Sequence, residues 1–286
     1  MKRKIALVLA AVAAAVSLAG CSDNKEPLDN NSSSTTQESS TSEPEIVVPE
    51  VTYTQEDIDN SEKWLTIENN VVKKCSREAT KVVIPDGVTD IDFEAFKDCT
   101  NLTAVKIPDS VTIISGEAFR GCTGLTSIKI PDSVTEICFS AFSKCTGLTS
   151  INIPNGVLYI GTYEFSDCVG LTTIHIPDSV TIIGQGAFSG CTGLTSINIP
   201  DSVTEIHTLA FEDCTGLTSI NIPDSVTEIR FRAFYKCTGL TSITIPDSVT
   251  EIGKKAFEGC ENISVTYKGK TYDYARIEDL YDAING

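Results

Sequence analysis

Apolar residues recur along most of this chain with a period of 23 residues, and one period predicts two short strands joined by a turn. Ile128 and Ile130 alternate with polar neighbours, as residues on one face of a β-strand do. Pro131-Asp132-Ser133 predicts a turn, because proline fixes φ and the Asp side chain bonds back to its own backbone. A second extended segment is predicted at 134–137, and Ala141-Phe142 predict a helical or 3₁₀ turn.

The period holds without slippage over eight units. Cysteine marks each unit, at Cys99, Cys122, Cys145, Cys168, Cys191, Cys214, Cys237 and Cys260. Within a unit, the order L-x-x-I-x-I-x-x-S-V matches the leucine-rich-repeat consensus. One unit has too few apolar positions to enclose a core, so the units must stack and bury one face against the next. The sequence therefore predicts a leucine-rich-repeat solenoid of about eight coils plus caps, built from short β-strands and 3₁₀ or helical turns.

The repeated string A-F-x-x-C-T-G-L-T-S-I-x-I-P-D-S-V-T-E-I resembles the hallmark of the BspA-like leucine-rich-repeat surface proteins of bacteria. The resemblance extends from about Trp64 to the C-terminus. It implies a role like that of adhesins, which bind host matrix proteins or other cells, with no assigned catalytic site. Function on a repeat scaffold depends on exposed side chains, so the resemblance predicts the fold better than the partner.

The N-terminal part of the chain differs from the repeats. Basic Lys2-Arg3-Lys4 precedes an apolar run that ends at Leu18-Ala19-Gly20-Cys21, which is the arrangement of a secretion signal. The run is too short to span a bilayer as a helix, and its ending resembles the lipobox of bacterial lipoproteins. By that resemblance, residues 1–20 are removed as a signal peptide and Cys21 carries the lipid. Residues 21–50, rich in Ser, Thr and acidic residues, predict a flexible tether.

Three further parts are predicted: an N-terminal cap and degenerate coil at 51–84, the solenoid at 85–260, and a C-terminal cap at 261–286. In the first cap, we expect Trp64, Ile67 and Val72 to take the places of the Val, Ile and Phe of a coil. In the last, the pattern predicts a strand, a turn, a second strand and a closing helix over 276–284.

The charge of the chain limits its partners. The formal net charge is −17, and removal of the signal peptide with its three basic residues would make it −20. This argues against nucleic acid, because a phosphate backbone is bound through clustered Lys and Arg. The expected location is the cell envelope, where the lipid on Cys21 holds the protein to the membrane and the solenoid is surface-exposed.

Eleven cysteines in an exported protein would ordinarily suggest disulfides. The periodic cysteines are instead expected to form a ladder whose Cβ atoms point the same way into the core, which disfavours bridges between neighbours. Buried free thiols are the expectation, with occasional bridges as the alternative. Metal binding is disfavoured, because no C-x-x-C pair and no Cys/His cluster occurs. Cys138 lies off the ladder at a variable position, where we expect it to be exposed.

Few residues suit catalysis. His175 lies at an outward strand position and His207 in a variable loop, and neither accompanies a nucleophile and an orienting acid. Rows of repeated carboxylates could bind calcium, but turn chemistry accounts for the Asp that recurs in the coils. We therefore expect no enzymatic activity, no cofactor and no metal site.

Comparison of the units with each other locates the candidate partner-binding surface. The outward strand positions are monotonous and predict a flat polar platform, whereas variation concentrates just before and after Ala-Phe. In two successive units the variable positions combine cations with aromatic residues, which are types enriched at interface hot spots. The candidate residues are His207, Arg230, Phe231, Arg232, Tyr235 and Lys236. Alternatively, these cations offset the nearby Glu205, Glu212, Asp213 and Glu228.

Two classes of function agree with these features. A surface binding module, most simply an adhesin-like protein that recognises a host or neighbouring-cell protein, predicts that a defined patch carries affinity. A structural spacer that organises the envelope predicts that no patch does. Glycan binding is a third possibility, which would depend on exposed aromatic residues at Phe93, Phe139, Tyr163 and Phe231.

Overall fold

Short strands dominate residues 51–286, the part of the chain that the computed structural model describes. The predicted signal peptide, the tether and Cys21 lie outside the described residues. The helices are α1 (Gln55–Trp64) and α2 (Ile277–Asn285), with a 3₁₀ helix at Tyr274–Arg276. The strands are β1 (Leu65–Glu68), β2 (Val71–Cys75), β3 (Lys81–Val83), β4 (Asp90–Ile91), β5 (Ala104–Lys106), β6 (Ile113–Ile114), β7 (Ser127–Ile128), β8 (Glu136–Ile137), β9 (Ser150–Asn152), β10 (Tyr159–Ile160), β11 (Thr173–His175), β12 (Ile182–Ile183), β13 (Ser196–Asn198), β14 (Glu205–Ile206), β15 (Ser219–Asn221), β16 (Glu228–Ile229), β17 (Ser242–Ile245), β18 (Glu251–Ile252), β19 (Ser264–Tyr267) and β20 (Lys270–Asp273).

Each coil contributes two strands, and each strand pairs in parallel with a strand of a neighbouring coil. The second strands fall into two sheets, which are interrupted between β8 and β10, and the first strands form shorter groups. The first strands of the coils are the odd-numbered β3 to β17, and the second strands are the even-numbered β4 to β18. The register is one full period, so that Ser196 pairs with Ser219. The predicted leucine-rich-repeat solenoid with its 23-residue period is therefore confirmed.

One phenylalanine per coil fills the centre of the stack. The eight rings run from Phe96 to Phe257, are fully buried, and lie with neighbouring centroids 4.8 to 5.7 Å apart. Neighbouring ring planes differ by 2° to 17°. Leu, Ile, Val and Ala of each coil surround this column, so the core is continuous from one coil to the next.

The fixed polar residues of the repeat tie adjacent coils together. The Ser133 hydroxyl donates to the Val111 carbonyl of the preceding coil over 2.7 Å, and the equivalent serines repeat this bond. The glycine of C-T-G-L is required by close approach, because a Cβ on Gly147 would lie 2.4 Å from the Thr123 carbonyl oxygen. These contacts explain why the repeat preserves residues that add nothing to the apolar core.

The segment around Ala-Phe forms consecutive turns, which agrees with the predicted helical or 3₁₀ turn. Backbone bonds of the i to i−3 type recur there, such as Phe234 O accepting from Cys237 N. The residue before Ala-Phe and the second residue after it take positive φ in every coil, as Leu209 (61°) and Asp213 (54°) do. A left-handed residue at each end stops helical propagation and leaves the outer side chains free to vary.

The cysteine ladder consists of buried free thiols from Cys75 to Cys260. In seven successive coils each thiol donates to the carbonyl of the phenylalanine 26 residues earlier, as Cys191 does to Phe165 O over 3.1 Å. Burial raises the pKa of Cys168 and of Cys214 to about 12, so both remain protonated at neutral pH.

Cys138 is buried, at 2 % exposure, so the expectation that it is exposed was wrong. Its backbone explains the difference. Cys138 directly follows β8, and its N–H donates to the Ile114 carbonyl of the preceding coil. The equivalent residues His207 and Arg230 are half-buried, so the position after a second strand is at least partly shielded in these coils.

The N-terminal cap differs in detail from the expected degenerate coil. Helix α1 begins with a capping box at Thr54 and Asp57, and its Ser61 hydroxyl accepts from the Val83 N–H at the otherwise open edge of β3. Strands β1 and β2 form an antiparallel hairpin. Val72 pairs with Ile91 and so holds the place of a second-strand isoleucine, not that of a phenylalanine.

The C-terminal cap has the predicted order of strand, turn, strand and helix. β19 pairs in parallel with β17 and antiparallel with β20. Two tyrosine hydroxyls replace the carbonyls of a next coil, because the N–H of Phe257 donates to Tyr281 and that of Gly259 donates to Tyr274. The last coil therefore has partners for backbone groups that stacking alone would leave unpaired.

Candidate functional site

The six candidate residues lie on two successive coils, on the side of the variable turns. His207 directly follows β14 and Arg230 directly follows β16. These strands pair in register, so the two residues are neighbours across the coils. Phe231, Arg232, Tyr235 and Lys236 follow in the turns of the second coil.

Carboxylates of the second-strand ladder engage both His207 and Arg230. Arg230 Nη2 lies 2.8 Å from Glu205 Oε2, and Arg230 Nε lies 3.1 Å from Glu228 Oε1. His207 Nε2 lies 3.1 Å from the same oxygen of Glu205. The second Arg230 contact is close but not aligned as a hydrogen bond. Arg230 thus offsets the charge of nearby glutamates, which was the alternative to a role in partner binding.

The surroundings of His207 favour its neutral form. Burial, followed by the charge of Arg230, lowers the pKa of His207 below its ordinary value of 6.5, although Glu205 acts in the opposite direction. A lowered pKa favours the neutral imidazole over the imidazolium. The place of His207 in the partner-binding surface stays a prediction, and the sequence pattern did not show that its side chain is desolvated.

Arg232 lies over two aromatic rings instead of a carboxylate. Its Cζ is 4.4 Å from the ring centroid of Tyr235 and 5.1 Å from that of Phe231. Among the described residues, no carboxylate forms an ion pair with Arg232. The rings hold the guanidinium through cation–π contacts and leave its outer N–H groups available to a partner.

Lys236 also contacts the Tyr235 ring, with its Nζ 5.1 Å from the ring centroid. The side chain passes over Gly259 of the next coil, where a Cβ would approach Lys236 Cγ to 2.8 Å. Phe231 is 42 % exposed. We call Phe231, Arg232, Tyr235 and Lys236 the loop cluster. It presents two cations and an exposed aromatic ring at one place on an acidic protein.

The outward strand positions form the regular row that the pattern predicted. They pair one coil apart, as Asn198 does with Asn221 and Asn152 does with His175. Lys106 and Lys129 stand at the N-terminal end of the row. The row is polar along its length, and it changes from charged to uncharged residues after the second lysine.

The other aromatic residues of the variable turns do not form an open stacking platform. Phe93 is 49 % exposed, but its ring tilts by 43° against Phe139. Phe139 and Tyr163 are half-buried, because the Phe139 ring packs over Gly116 of the preceding coil and the Tyr163 ring packs over Gly186 of the next coil. The expectation that all four aromatic side chains are exposed was therefore wrong for these two, and the feature that suggested glycan binding is weaker.

Comparison with known proteins agrees with this geometry. The profile of the family described as "BspA type Leucine rich repeat region" matches six copies, over residues 65–195 and 159–274. The chain belongs to this family. A search of curated proteins found no match.

Solved structures of bacterial leucine-rich-repeat proteins resemble this BspA-type chain. A leucine-rich-repeat protein from Bacteroides ovatus is 30 % identical, with 78 % of this chain and 65 % of that one covered and a TM-score of 0.54. A leucine-rich cell surface protein from Faecalibacterium prausnitzii is 34 % identical, with coverage of 73 % and 63 % and a TM-score of 0.51. A leucine-rich-repeat protein of T. pallidum, at 26 % identity, has coverage of 78 % and 94 % and a TM-score of 0.57. The chain thus spans slightly less than two thirds of the first two structures.

One coil of this BspA-type repeat carries an ionisable residue in the core that sequence reasoning missed. Glu164 stands where the other coils have the Ala of Ala-Phe, and it is fully buried. Burial raises the pKa of Glu164 to about 8, although the Gly161 N–H donates to its Oε2 over 2.6 Å. The sequence did contain a signal for this residue, because the other seven coils all have Ala at the position of Glu164. The enclosed carboxyl reaches no cleft, so its pKa does not indicate a catalytic site.

The described region lacks both a cluster of metal ligands and a membrane-spanning helix. Residues 51–286 contain no group of three or more His, Cys, Asp or Glu side chains placed to hold a metal ion. Within the same residues, no helix has the length and apolar character needed to cross a membrane.

Proposed function

We propose that this BspA-type protein is a surface binding module that recognises a protein partner, in the manner of an adhesin, through the loop cluster. The observation that carries the proposal is the arrangement of Arg232 and Lys236 around Tyr235, without a carboxylate partner in the described region, in a chain of net charge −17. Exposed Phe231 adds the aromatic surface that interface hot spots favour. An acidic protein surface is the complementary partner.

We also propose that the protein is held in the envelope by lipid on Cys21 and is not an enzyme. The lipobox-like ending of the apolar run supports the anchor, and one residue carrying two or more acyl chains binds stably to a bilayer. A tether of residues 22–50 would then allow the solenoid to reach a partner. The leucine-rich-repeat scaffold supports binding over catalysis, because its exposed positions vary while its core is constant.

A pull-down on host matrix proteins and cell-surface extracts, followed by binding measurements on the protein recovered, tests the proposal. The structure selects the variant Phe231→Ala, Arg232→Glu, Lys236→Glu, because Arg230 is already paired with Glu205 and Glu228. We expect this variant to bind at least tenfold more weakly, a loss of about 1.4 kcal/mol or more.

The matched control is Lys74→Glu, Lys144→Glu, Phe93→Ala, which makes the same changes of charge and aromatic content at exposed positions outside the loop cluster. It should retain affinity for that partner. Undiminished binding by the loop-cluster variant would refute the proposed site, and a failure to capture any partner would favour the structural spacer.

A further inference from the structure

A groove of about 530 Å³ lies at the N-terminal end of the strand row, remote from the loop cluster. One wall is formed by the segment that leads into α1 and by α1 itself, through Val51, Tyr53 and Ile58. The opposite side is formed by the first coils of the solenoid. The groove exists because α1 covers only the edge of β3, where Ser61 is bound to Val83, and leaves the outward face of β5 and β7 open.

Two lysines stand side by side on the floor of this groove. Lys106 and Lys129 are opposite each other on adjacent coils and both are exposed. Like charges directly opposite on neighbouring strands repel each other, so stability does not account for the pair. Within residues 51–286, neither lysine forms an ion pair with a carboxylate, although Asp109 lines another part of the groove.

Along the outward strand row from Lys106 to Thr244, lysine occurs only at the two positions in the groove. The same position in the later coils carries Asn152, His175, Asn198, Asn221 and Thr244, although a lysine would fit the repeat there as well. The whole chain is strongly acidic, with a net charge of −17. An unneutralised lysine pair beside an apolar wall therefore complements a ligand that carries both carboxylates and apolar groups.

We propose that this groove binds an extended peptide segment whose acidic and apolar side chains alternate. In an extended chain successive side chains point to opposite sides, so acidic residues can face Lys106 and Lys129 while apolar residues face Tyr53 and Ile58. A peptide suits the groove better than a sulfated glycan, because a glycan brings no apolar side chains to the wall. The site is independent of the loop cluster and of its partner.

The test uses purified residues 22–286 and a fluorescein-labelled peptide of three Glu-Val repeats, titrated by fluorescence polarisation. We expect binding that weakens at least tenfold in Lys106→Glu, Lys129→Glu and at least threefold in Ile58→Ser. The matched control Lys254→Glu, Lys270→Glu changes the charge equally at the other end of the solenoid and should bind as the wild type does. A peptide of three Lys-Val repeats should not bind.

Two results would overturn the proposal. One is an equal loss of peptide binding in the control and groove variants, or no peptide binding by wild-type protein. The other is binding of heparin that depends on Lys106 and Lys129 while the Glu-Val peptide fails to bind, which would assign the groove to sulfated glycans. Circular dichroism of each variant separates a loss of binding from a loss of folding.

Discussion

Replacement of Glu164 by glutamine should change how the stability of the solenoid depends on pH. The Glu164 side chain is enclosed between coils that carry Ala141 and Ala187 at the same position. Its Oε2 accepts one hydrogen bond from Gly161, and its Oε1 has no partner among the described residues. Burial of the carboxyl with a single hydrogen-bond donor disfavours its charged form. The pKa of Glu164 therefore rises from 4.5 to about 8.

The sign of the effect follows from the two protonation states. Below pH 4.5 the carboxyl is protonated in both the folded and the unfolded chain, so its ionisation costs no stability. Between pH 4.5 and 8 the unfolded chain releases the proton while the folded chain retains it, so the free energy of unfolding falls as pH rises. One pKa unit corresponds to about 1.36 kcal/mol, so the loss is roughly 3 kcal/mol at pH 7 and roughly 5 kcal/mol above pH 8.

Urea unfolding followed by circular dichroism at pH 4.5, 7 and 9 measures this effect. Glutamine has nearly the same shape and no ionisation in this range. The stability of Glu164→Gln relative to wild type should therefore rise by about 3 kcal/mol between pH 4.5 and 7, and by about 5 kcal/mol by pH 9. Glu136→Gln is the control, because Glu136 is a half-buried glutamate of the second-strand ladder. It removes one negative charge without removing an enclosed carboxyl.

A difference between Glu164→Gln and wild type that stays constant with pH would refute the reasoning. It would mean that Glu164 is ionised in the folded protein at neutral pH, and therefore that the coils on either side do not enclose it.

Two other predictions concern the core and the anchor. Phe188→Ala removes a ring stacked between Phe165 and Phe211, so it should cost about 3–5 kcal/mol in urea unfolding, whereas Phe93→Ala, which truncates a ring that is 49 % exposed, should cost far less. Equal effects of the two changes would contradict the phenylalanine ladder. Cys21→Ser should release folded soluble protein from cells or leave an unprocessed precursor in fractionation followed by immunoblotting, because the lipid would be lost. Processed protein that still sediments with membranes would contradict the lipid anchor.

The sequence predicted the solenoid well because stacking turns a linear period into a spatial register. Once Cys191 and Cys214 recur at the same phase, their coils can pair only in step, as Ser196 and Ser219 do. The C-terminal cap was also predictable, since Lys268-Gly269 between two alternating segments has the character of a tight hairpin turn. In these cases the local pattern and the stacking require the same structure.

The features that were missed depend on contacts between coils. Phe139 is half-buried because Gly116, on the neighbouring coil, leaves room for its ring. The pKa of His207 is lowered by burial and by Arg230, which lies 23 residues away. Helix α1 had a readable signal in the capping box at Thr54, but its polar sequence has no clear apolar stripe. The loop cluster was located by sequence, whereas the division between paired Arg230 and unpaired Arg232 required the structure.

Hydrogen exchange of the solenoid with and without its captured protein partner tests the central claim most directly. We predict that the partner slows exchange in the turns at 207–213 and 230–236, and that this protection disappears in Phe231→Ala, Arg232→Glu, Lys236→Glu. Protection confined to the strand row, with the loop turns exchanging as fast as in the free protein, would contradict the claim that the loop cluster is the binding site.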